Sequence, residues 1–590
     1  MAKETKPTKN KKYASKTATK KNTANKSVPK KNNKPKAPKL PLKIISLGGL
    51  GEIGKNITVY EYKDDILIVD CGMAFPDEET PGIDIVIPDF SYLVQNKDKI
   101  RGLIVTHGHE DHIGAIPYLL KNINVPIFAT RLTIGLIEGK LKEHKNLATA
   151  KLTTVMPGDV LEFGALSAEF IHVNHSIPDA VAFAIKTPAG TVLHTGDFKI
   201  DTTPIDGKVI DLARIGELGK RGVLAMLADS TNAERPGYTM SEKVVGESFQ
   251  NLFQKAGNNR IIIATFSSNI HRIQQIIDEA VNCGRKVAVS GRSMLNVVSV
   301  AAKLGYLKVP ENVLIDIELI KRYKPEQLVI ITTGSQGEPL SALHRMAFSD
   351  HRNVEIVPND MIIISATPIP GNEKLVSKVV NELMKRGANV VYEKMYDVHV
   401  SGHACQEELK LLISLAKPKY YIPVHGEQKH LVKHAMLAQT MGVPTENTLI
   451  ANIGEVIELT SKSIKVTETV PSGRVLVDGL GVGDVGGVVL RDRKLLSDDG
   501  IIIVTVTMDE VTGEVVSGPE VVTRGFVYMK ESEELINEVI EVAEDILEYC
   551  YTRRIHDINA IKLKLRDGIS KYLYQATHRS PMVMPIIMEV

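Results

Sequence analysis

The chain has 590 residues and a formal net charge of +2, with 43% hydrophobic and 24% charged residues. These proportions are ordinary for a globular protein, and the length has room for two to four domains. No apolar stretch approaches the roughly 18 residues of a membrane span. The four scattered cysteines form no CxxC pair, so we expect a cytoplasmic protein without disulfides or a Cys-type zinc site.

The first 40 residues are the most unusual in composition. They hold 14 lysines and one glutamate, a charge of +13, so the rest of the chain carries −11. We predict a disordered tail over residues 1–40, because almost nothing there can be buried. It has neither the apolar region of a secretory signal nor the arginines of a transit peptide. The lysines either attract nucleic acid or only keep the chain soluble.

A glycine-rich stretch follows the first predicted strand, residues 42–47. Residues 48–56 read GGLGEIGKN, which matches GxGxxG and most of a P-loop. Both motifs require a helix to follow. Residues 57–62 are instead β-branched and alternating, which predicts a strand. We therefore interpret the glycines as a tight turn between strands and not as a nucleotide site.

Residues 106–112, THGHEDH, form the densest group of metal-binding residue types. They lie between an apolar strand and an apolar helix-like run. Imidazole and carboxylate together suit zinc or a similar divalent ion. His107 and His109 can reach one ion from an extended turn, whereas the adjacent Asp111 and His112 must point elsewhere. The stretch therefore predicts two neighbouring ions, the usual machinery for cleaving phosphate esters.

Further chemical groups follow later apolar runs. Asp70, His175, Asp197 and Asp229 each stand at or near the end of a predicted strand. Residues 244–394 show a fresh alternation of strands and helices, which predicts an inserted parallel-sheet domain. A C-terminal region begins near residue 485 and contains one clear amphipathic helix, at residues 533–551.

The order of these residues resembles the metallo-β-lactamase superfamily. The superfamily fold is a four-layer αββα sandwich with its metals at one edge of the sheets. The resemblance implies one ion on His107, His109 and His175, a second on Asp111, His112 and His425, and Asp197 bridging the two. Asp70 would hold a ligand or the loop by hydrogen bonds.

Three further segments indicate one particular group within this superfamily. Asp229-Ser230-Thr231, residues 401–404 (SGHA) and residues 423–427 (PVHGE) are similar to motifs of the β-CASP nucleases, in which an inserted domain forms a nucleic-acid cleft over the metals. Four segments look specifically like bacterial ribonuclease J, and this resemblance covers about residues 42–590; the segments are 48–56, 264–272, 332–339 and 399–404.

The resemblance implies an α/β fold made of a metallo-β-lactamase sandwich, an inserted β-CASP domain and a small α/β C-terminal domain. We predict these divisions: a tail 1–40, the sandwich 41–240 and 395–460, the β-CASP domain 241–394, a linker 461–484, and the C-terminal domain 485–590.

The resemblance also assigns roles to single residues. His403 would protonate the leaving 3′ oxygen, with Asp229 orienting it, and a metal-bridging hydroxide would be the nucleophile. The RNA 5′ phosphate would lie in a pocket lined by Ser267, Ser268, Asn269, His399, Val400, Ser401, Gly402 and His403. The first three of these residues could equally serve only to cap a helix. A calcium ion could bind the carbonyl of Gly82 with the carboxylates of Asp84 and Asp478.

The predicted activity is that of a ribonuclease with two Zn²⁺ or Mn²⁺ ions per chain. It would degrade RNA 5′→3′ from monophosphorylated ends and also cut internally, in RNA maturation and mRNA decay. We expect a homo-oligomer, a dimer or tetramer, with other RNA-decay proteins as possible partners and no membrane attachment. Two alternatives stay open: a DNA-processing β-CASP nuclease, and a noncatalytic paralogue kept for RNA binding or assembly.

Overall fold

The structure is a computed structural model, and it describes residues 40–77, 79–369, 372–392, 395–527 and 533–590. The predicted tail therefore lies outside the described residues except for Leu40. The predicted end of the inserted domain at residue 394 also lies outside them. No helix in the described ranges is long and apolar enough to cross a membrane.

Two mixed β-sheets form the centre of the protein. The larger has eight strands, in spatial order Ile464–Thr469, Glu455–Leu459, Leu42–Gly48, Ile57–Tyr62, Asp65–Val69, Ile100–Ile104, Ile127–Ala129 and Leu152–Thr154. The smaller has six strands, in spatial order Tyr420–Val424, Ala225–Asp229, Thr191–His194, Val181–Lys186, Leu166–His172 and Val160–Phe163.

The two sheets pack face to face across a hydrophobic core. Tyr60 and Leu67 of the larger sheet and Phe170 and Phe183 of the smaller belong to one buried cluster. The two phenylalanine rings meet edge to face, with centroids 5.1 Å apart. Strand Ile57–Tyr62 is buried at every position, because both faces of its sheet are covered.

Helices cover the outer face of each sheet. The larger sheet is covered by Ser91–Gln95, Glu110–Ile113, Ile116–Asn122 and Arg131–Glu143. The smaller is covered by Leu212–Arg221, Gln406–Ala416 and Gln428–Thr440. Short 3₁₀ helices span Lys97–Lys99, Leu147–Thr149, Ile317–Arg322, Pro325–Gln327 and Thr445–Asn447. The layers run helix, sheet, sheet, helix, which confirms the predicted four-layer α/β sandwich.

The inserted region contains a separate sheet whose strand pairs are all parallel. Its strands, in spatial order, are Leu314–Ile315, Lys286–Ser290, Leu328–Thr332, Ile261–Ala264, Met361–Ile364 and Asn389–Val391. Helices lie on both faces, as the alternating sequence pattern predicted; they are Lys243–Ala256, Ile270–Asn282, Arg292–Lys303, Ala342–Ala347 and Glu373–Lys385.

The C-terminal region differs from the sequence prediction in its number of helices. The described residues form three, Gly487–Asp498, Glu533–Thr552 and Ile558–Thr577, beside a sheet of Val515–Arg524, Ile501–Met508 and Met582–Glu589. In the last helix the buried residues recur every fourth position as Ile561, Leu565, Ile569 and Leu573. This stripe is only one residue wide per turn and is set among charged residues, so its pattern in the sequence is faint.

The stretch predicted as a linker, residues 461–484, also carries strands. Ile464–Thr469 pairs with the edge of the larger sheet, although nearly all its residues are exposed. A small sheet joins Gly481–Val482, Arg474–Asp478 and Ile85–Pro88. Nearly every residue of the edge strand is exposed, so it has little to bury and its composition resembled that of a linker.

The contact between Phe170 and Phe183, on neighbouring strands of the smaller sheet, should matter for stability. We expect Phe183→Ala to lower the free energy of unfolding by about 3–5 kcal/mol, because it opens a cavity in a closed core. The shift in the urea midpoint measures this. Val522→Ala, at a 40% exposed position, is the control and should change stability by less than about 0.5 kcal/mol. Equal shifts in the two variants would show that Phe183 is not a core contact.

Candidate metal centre

The candidate site lies at one edge of the sandwich, where several strands reach their carboxyl ends. Residues 106–112 follow strand Ile100–Ile104 of the larger sheet. The smaller sheet supplies the other groups at the ends of its strands; these groups are His175, Asp197, Asp229 and His425. Strand ends of a layered α/β fold are a common place for such groups, because loops there converge from several strands.

Three histidines and one aspartate form the first cluster. The ligand atoms of His107, His109, His175 and Asp197 all lie within 4.8 Å of one another. The Nδ1 atom of His109 is 3.0 Å from Nε2 of His107 and 3.1 Å from Nε2 of His175. Burial lowers the pKa of His107 and His175 well below the usual range and that of His109 to about 4. The rings are therefore neutral, the form that binds a metal.

A second cluster shares the carboxylate of Asp197. It contains Asp111, His112 and His425, again with ligand atoms within 4.8 Å. The Nε2 of His112 lies 3.2 Å from Asp197 Oδ2, and the Nε2 of His425 lies 3.2 Å from Asp111 Oδ2. Burial opposes protonation of both histidines, but the neighbouring carboxylates outweigh it and raise each pKa well above the usual value. The carboxylates of this cluster therefore favour a positive charge beside them, and a divalent cation would supply that charge.

Asp70 connects these clusters to the strand behind them. Its carboxylate accepts the Thr106 backbone N–H at 2.7 Å and the Nδ1–H of His112 at 2.8 Å. The second bond leaves Nε2 of His112 as the atom that faces the cluster. Asp70 has a φ of +62°, and the neighbouring Gly72 packs so tightly that a Cβ would lie 1.6 Å from Asp111 O. The backbone at Asp70 is therefore strained, and this strain lies beside the segment that carries the candidate ligands Asp111 and His112.

His403 and Asp229 form a pair at the margin of the second cluster. The Nδ1 of His403 lies 2.8 Å from Asp229 Oδ2, and the histidine side chain is 20% exposed. Burial opposes protonation of His403, but Asp229 and Asp197 outweigh it and raise its pKa. The ligand atoms of His403, Asp229, Asp197 and His425 also lie within 4.8 Å of one another. His403 can therefore act as an acid or as a ligand, and these alternatives need an experiment.

The glycine-rich turn has a place in the site that its sequence did not reveal. It joins two strands, as predicted, and its Leu50–Gly51 segment pairs in parallel with Gly426–Glu427. The carbonyl of Gly49 accepts the backbone N–H of His425 at 2.9 Å. The side chain of Asn56 donates to the carbonyl of Asp111 at 3.0 Å. The turn therefore positions ligands of the second cluster, and it lacks the following helix that a nucleotide motif requires.

Other positioning residues were missed in the sequence. The Thr231 hydroxyl lies 2.7 Å from Asp229 Oδ1 and 2.8 Å from His425 Nδ1. The Asn232 amide donates to the carbonyl of His403 at 3.0 Å, and Thr239 donates to the same carbonyl at 2.7 Å. Thr231 and Asn232 stand two and three residues after Asp229, and this closeness to Asp229 was their only signal in the sequence. Thr239 gave none, because its partner lies far along the chain.

The predicted phosphate-binding residues lie in two segments that approach each other. The ring of His399 is 6.4 Å, centroid to centroid, from that of Phe266, which directly precedes Ser267 and Ser268. Asn269 caps helix Ile270–Asn282 by accepting the Arg272 N–H at 3.1 Å. Asn269 therefore caps this helix, as the structural alternative predicted. The hydroxyls of Ser267 and Ser268 make no hydrogen bond to any described residue.

Residues 400–402 connect this region to the metal clusters. The Ser401 hydroxyl accepts from the amide of Asn232 at 2.9 Å. The carbonyl of Gly402 accepts the Nδ1–H of His175 at 2.7 Å, which leaves Nε2 of that ring facing the first cluster. The carbonyl of Val400 accepts from Arg272 at 3.3 Å.

The predicted calcium residues lie together but are engaged otherwise. Asp84 accepts the backbone N–H of Gly479 at 2.8 Å. Asp478 pairs with the guanidinium of Arg493, which also donates to Pro81 O at 3.2 Å. A Cβ on Gly82 would lie 2.9 Å from that same guanidinium. Calcium at this place stays a prediction, and it requires Arg493 to move away.

Gly402 offers a direct test of the site's geometry. A Cβ at this position would lie 2.6 Å from Cε1 of His175, so Gly402→Ala should displace that ring. We expect a loss of metal affinity of about 10–100-fold, measured by titrating the metal-free protein. Gly139→Ala is the control, since a Cβ there meets nothing within 4 Å. Unchanged affinity in Gly402→Ala would mean that His175 does not bind metal.

Comparison with known families places the chain among metal-dependent hydrolases. Four family models match: "Metallo-beta-lactamase superfamily" at residues 50–229, "Ribonuclease J, beta-CASP domain" at 258–383, "Zn-dependent metallo-hydrolase RNA specificity domain" at 387–449, and "Ribonuclease J C-terminal domain" at 488–590. A solved structure of a protein of unknown function from Enterococcus faecalis V583 has a TM-score of 0.52 at 17% identity, covering 71% of this chain and 100% of that one. At this identity the likeness concerns the fold alone.

Curated relatives match over almost their whole length. Ribonuclease J2 of Bacillus subtilis is 45% identical over 93% of this chain and 99% of its own. Ribonuclease J of Thermus thermophilus is 44% identical over 93% of this chain and 95% of its own. Ribonuclease J 2 of Staphylococcus aureus is 39% identical over 96% of this chain and 100% of its own. The chain therefore belongs to the ribonuclease J family of the metallo-β-lactamase superfamily.

Proposed function

We propose that this chain is a metal-dependent ribonuclease that hydrolyses RNA phosphodiesters. Its preferred action would be 5′→3′ from monophosphorylated ends, with internal cleavage as well, in RNA maturation and mRNA decay. The observation that carries the proposal is the pair of buried clusters that share Asp197, with the His403–Asp229 pair at their margin. Membership of the ribonuclease J family and the match to an RNA specificity domain support RNA as the substrate.

The residues present fit two divalent ions, zinc or manganese. His107, His109 and His175 would hold one, Asp111, His112 and His425 the other, and Asp197 would join them. Ions in these places would lower the pKa of water and neutralise charge on the phosphate. Neutral imidazoles and ionised carboxylates suit such ions, and the set contains no cysteine that would favour a purely structural zinc site.

His403, oriented by Asp229, would donate a proton to the leaving group. Asp229 accepts from Nδ1 of His403, so the Nε2 atom is the one that would donate its proton to the departing 3′ oxygen. Asp229 and Asp197 raise the pKa of His403, which favours the protonated ring that this role needs. A 3′ alkoxide is a poor leaving group, so a proton delivered there assists the bond cleavage.

Several finer points are part of the proposal. Ser267, Ser268, Asn269 and residues 399–403 would receive the RNA 5′ phosphate. We also retain the predicted homo-oligomer, the cytoplasmic location and the division into domains. The complete set of candidate ligands disfavours a noncatalytic paralogue, because such a protein has no need to keep it.

The substrate can be tested with matched nucleic acids. With Zn²⁺ or Mn²⁺, we expect the protein to shorten 5′-monophosphate RNA from its 5′ end faster than 5′-triphosphate RNA, and to leave single-stranded DNA of the same sequence intact. Gel analysis of end-labelled strands measures this, with Asp111→Ala as the inactive control. Equal turnover of DNA and RNA would refute the RNA assignment. A wild type no more active than Asp111→Ala would favour the noncatalytic alternative.

The role of His403 can be separated from metal binding. We expect His403→Ala to slow cleavage by about 10²–10⁴-fold, the usual contribution of general acid catalysis, and to keep its metal. Single-turnover rates and metal content by mass spectrometry measure the two effects. A variant that loses metal along with its activity would show that His403 is a ligand.

A further inference from the structure

Arg272 is the largest side chain that is fully buried in the described part of the chain, and neither the metal centre nor the proposed mechanism uses it. It lies in the first turn of helix Ile270–Asn282, in the inserted domain. The run SSNIHR, residues 267–272, makes this arginine look like a direct phosphate ligand. Its burial excludes that role, because no surface of the side chain is exposed to a ligand.

All five N–H groups of Arg272 already have acceptors. Nε and Nη2 donate to the two carboxylate oxygens of Glu242, at 2.8 and 3.1 Å. Nη1 donates to the carbonyl of Ser365 at 2.8 Å, and Nη2 donates to that of Val400 at 3.3 Å. The remaining Nη1 hydrogen points to Nδ1 of His399 at 3.0 Å. A guanidinium has five donors and no acceptor, so this set is complete.

These contacts join three separate parts of the chain. Glu242 directly precedes helix Lys243–Ala256, where the chain enters the inserted domain. Ser365 follows strand Met361–Ile364, and residues 399–400 lie where the chain returns to the metal centre. The guanidinium therefore fixes the segment that carries Gly402, whose carbonyl in turn orients His175.

The contact with His399 determines where that ring carries its proton. Arginine only donates, so Nδ1 of His399 must accept and Nε2 must hold the hydrogen. Burial and the charge of Arg272 also hold the pKa of His399 well below the usual range, so the ring stays neutral. No hydrogen bond to Nε2 is recorded among the described residues. His399 is half-buried, which leaves this N–H available to a ligand.

We propose that Arg272 is a positioning residue that sets His399 as a neutral Nε2–H donor to the 5′ phosphate of RNA, an inference that rests on the proposed ribonuclease function. Arg272 acts through His399 and does not touch the substrate. The alternative is a buried ion pair with Glu242 that serves only the stability of the inserted domain.

The variant Arg272→Lys separates these alternatives. It keeps the charge beside Glu242 but cannot make five directed contacts. We expect Arg272→Lys to weaken binding of a 5′-monophosphate oligoribonucleotide to the metal-free protein about tenfold, the loss of one hydrogen bond to a charged group. Binding of the 5′-hydroxyl oligoribonucleotide should stay the same. With metal, KM for the first RNA should rise by the same factor while kcat stays within about twofold.

A double-mutant cycle tests whether Arg272 acts through His399. In His399→Asn the amide oxygen can accept from Arg272, but the N–H at the Nε2 position is gone. This variant should lose the same binding to 5′-monophosphate RNA without disturbing the buried ion pair. The double variant should lose no more than His399→Asn alone, because the two residues share one interaction.

Arg260→Lys is the matched control. Arg260 makes the corresponding pair with Asp360 in the same domain, at 3.1 Å from Nε, and does not contact His399. It should leave the affinity for both RNAs unchanged.

Three results would overturn the inference: equal losses on the two RNAs in Arg272→Lys, additive losses in the cycle, or a wild type that binds the two RNAs equally. Fluorescence anisotropy of the metal-free protein gives these affinities without cleavage. A protein that shows the predicted binding pattern but no hydrolysis would refute the catalytic proposal and support the role of Arg272.

Discussion

The carboxylate of Asp197 is buried among five histidine rings, and the arrangement of the site follows from that fact. Its oxygens lie 3.2 to 3.8 Å from nitrogens of His112, His425, His107, His175 and His403. A buried carboxylate without compensating positive charge is costly, and neutral imidazoles cannot supply that charge. Either some rings are protonated or cations lie between them. Two divalent ions would satisfy the carboxylate and would let the candidate ligand rings of His107, His112, His175 and His425 stay neutral, the form that binds metal.

Holding these groups together requires strain and support from distant parts of the chain. Asp70 and His425 both adopt positive φ values, +62° and +54°, next to the clusters. Each is held there by backbone bonds, Asp70 to Ile104 and His425 to Gly49. The inserted domain then returns the segment that carries Gly402 and His403 to the same edge. The fold therefore builds one site from loops that are hundreds of residues apart in the sequence. The hydrogen bonds between those loops maintain the geometry of the site.

Much of this could be predicted from the sequence, for physical reasons that also explain the gaps. The density of histidine in residues 106–112 and the strand-end position of Asp197 are local signals, and the alternating pattern of the inserted domain revealed its parallel sheet. The full ligand set came only from resemblance to a family, because spacing alone does not join His425 to Asp111. Asn56 was missed as a positioning residue and the buried contacts of Arg272 were not foreseen, since the partners of both are far along the chain. Arg493 beside Asp478 could not be foreseen for the same reason.

The central claim is that Asp197 joins two ions in one site. Isothermal titration of the metal-free protein with Mn²⁺ or Zn²⁺ measures this directly, through the number of ions bound per chain. Wild type should bind two ions. Asp111→Ala should keep one, since the first cluster does not contain that residue, and Asp197→Ala should bind neither with comparable affinity. An Asp197→Ala protein that still binds two ions as tightly as wild type would contradict the claim.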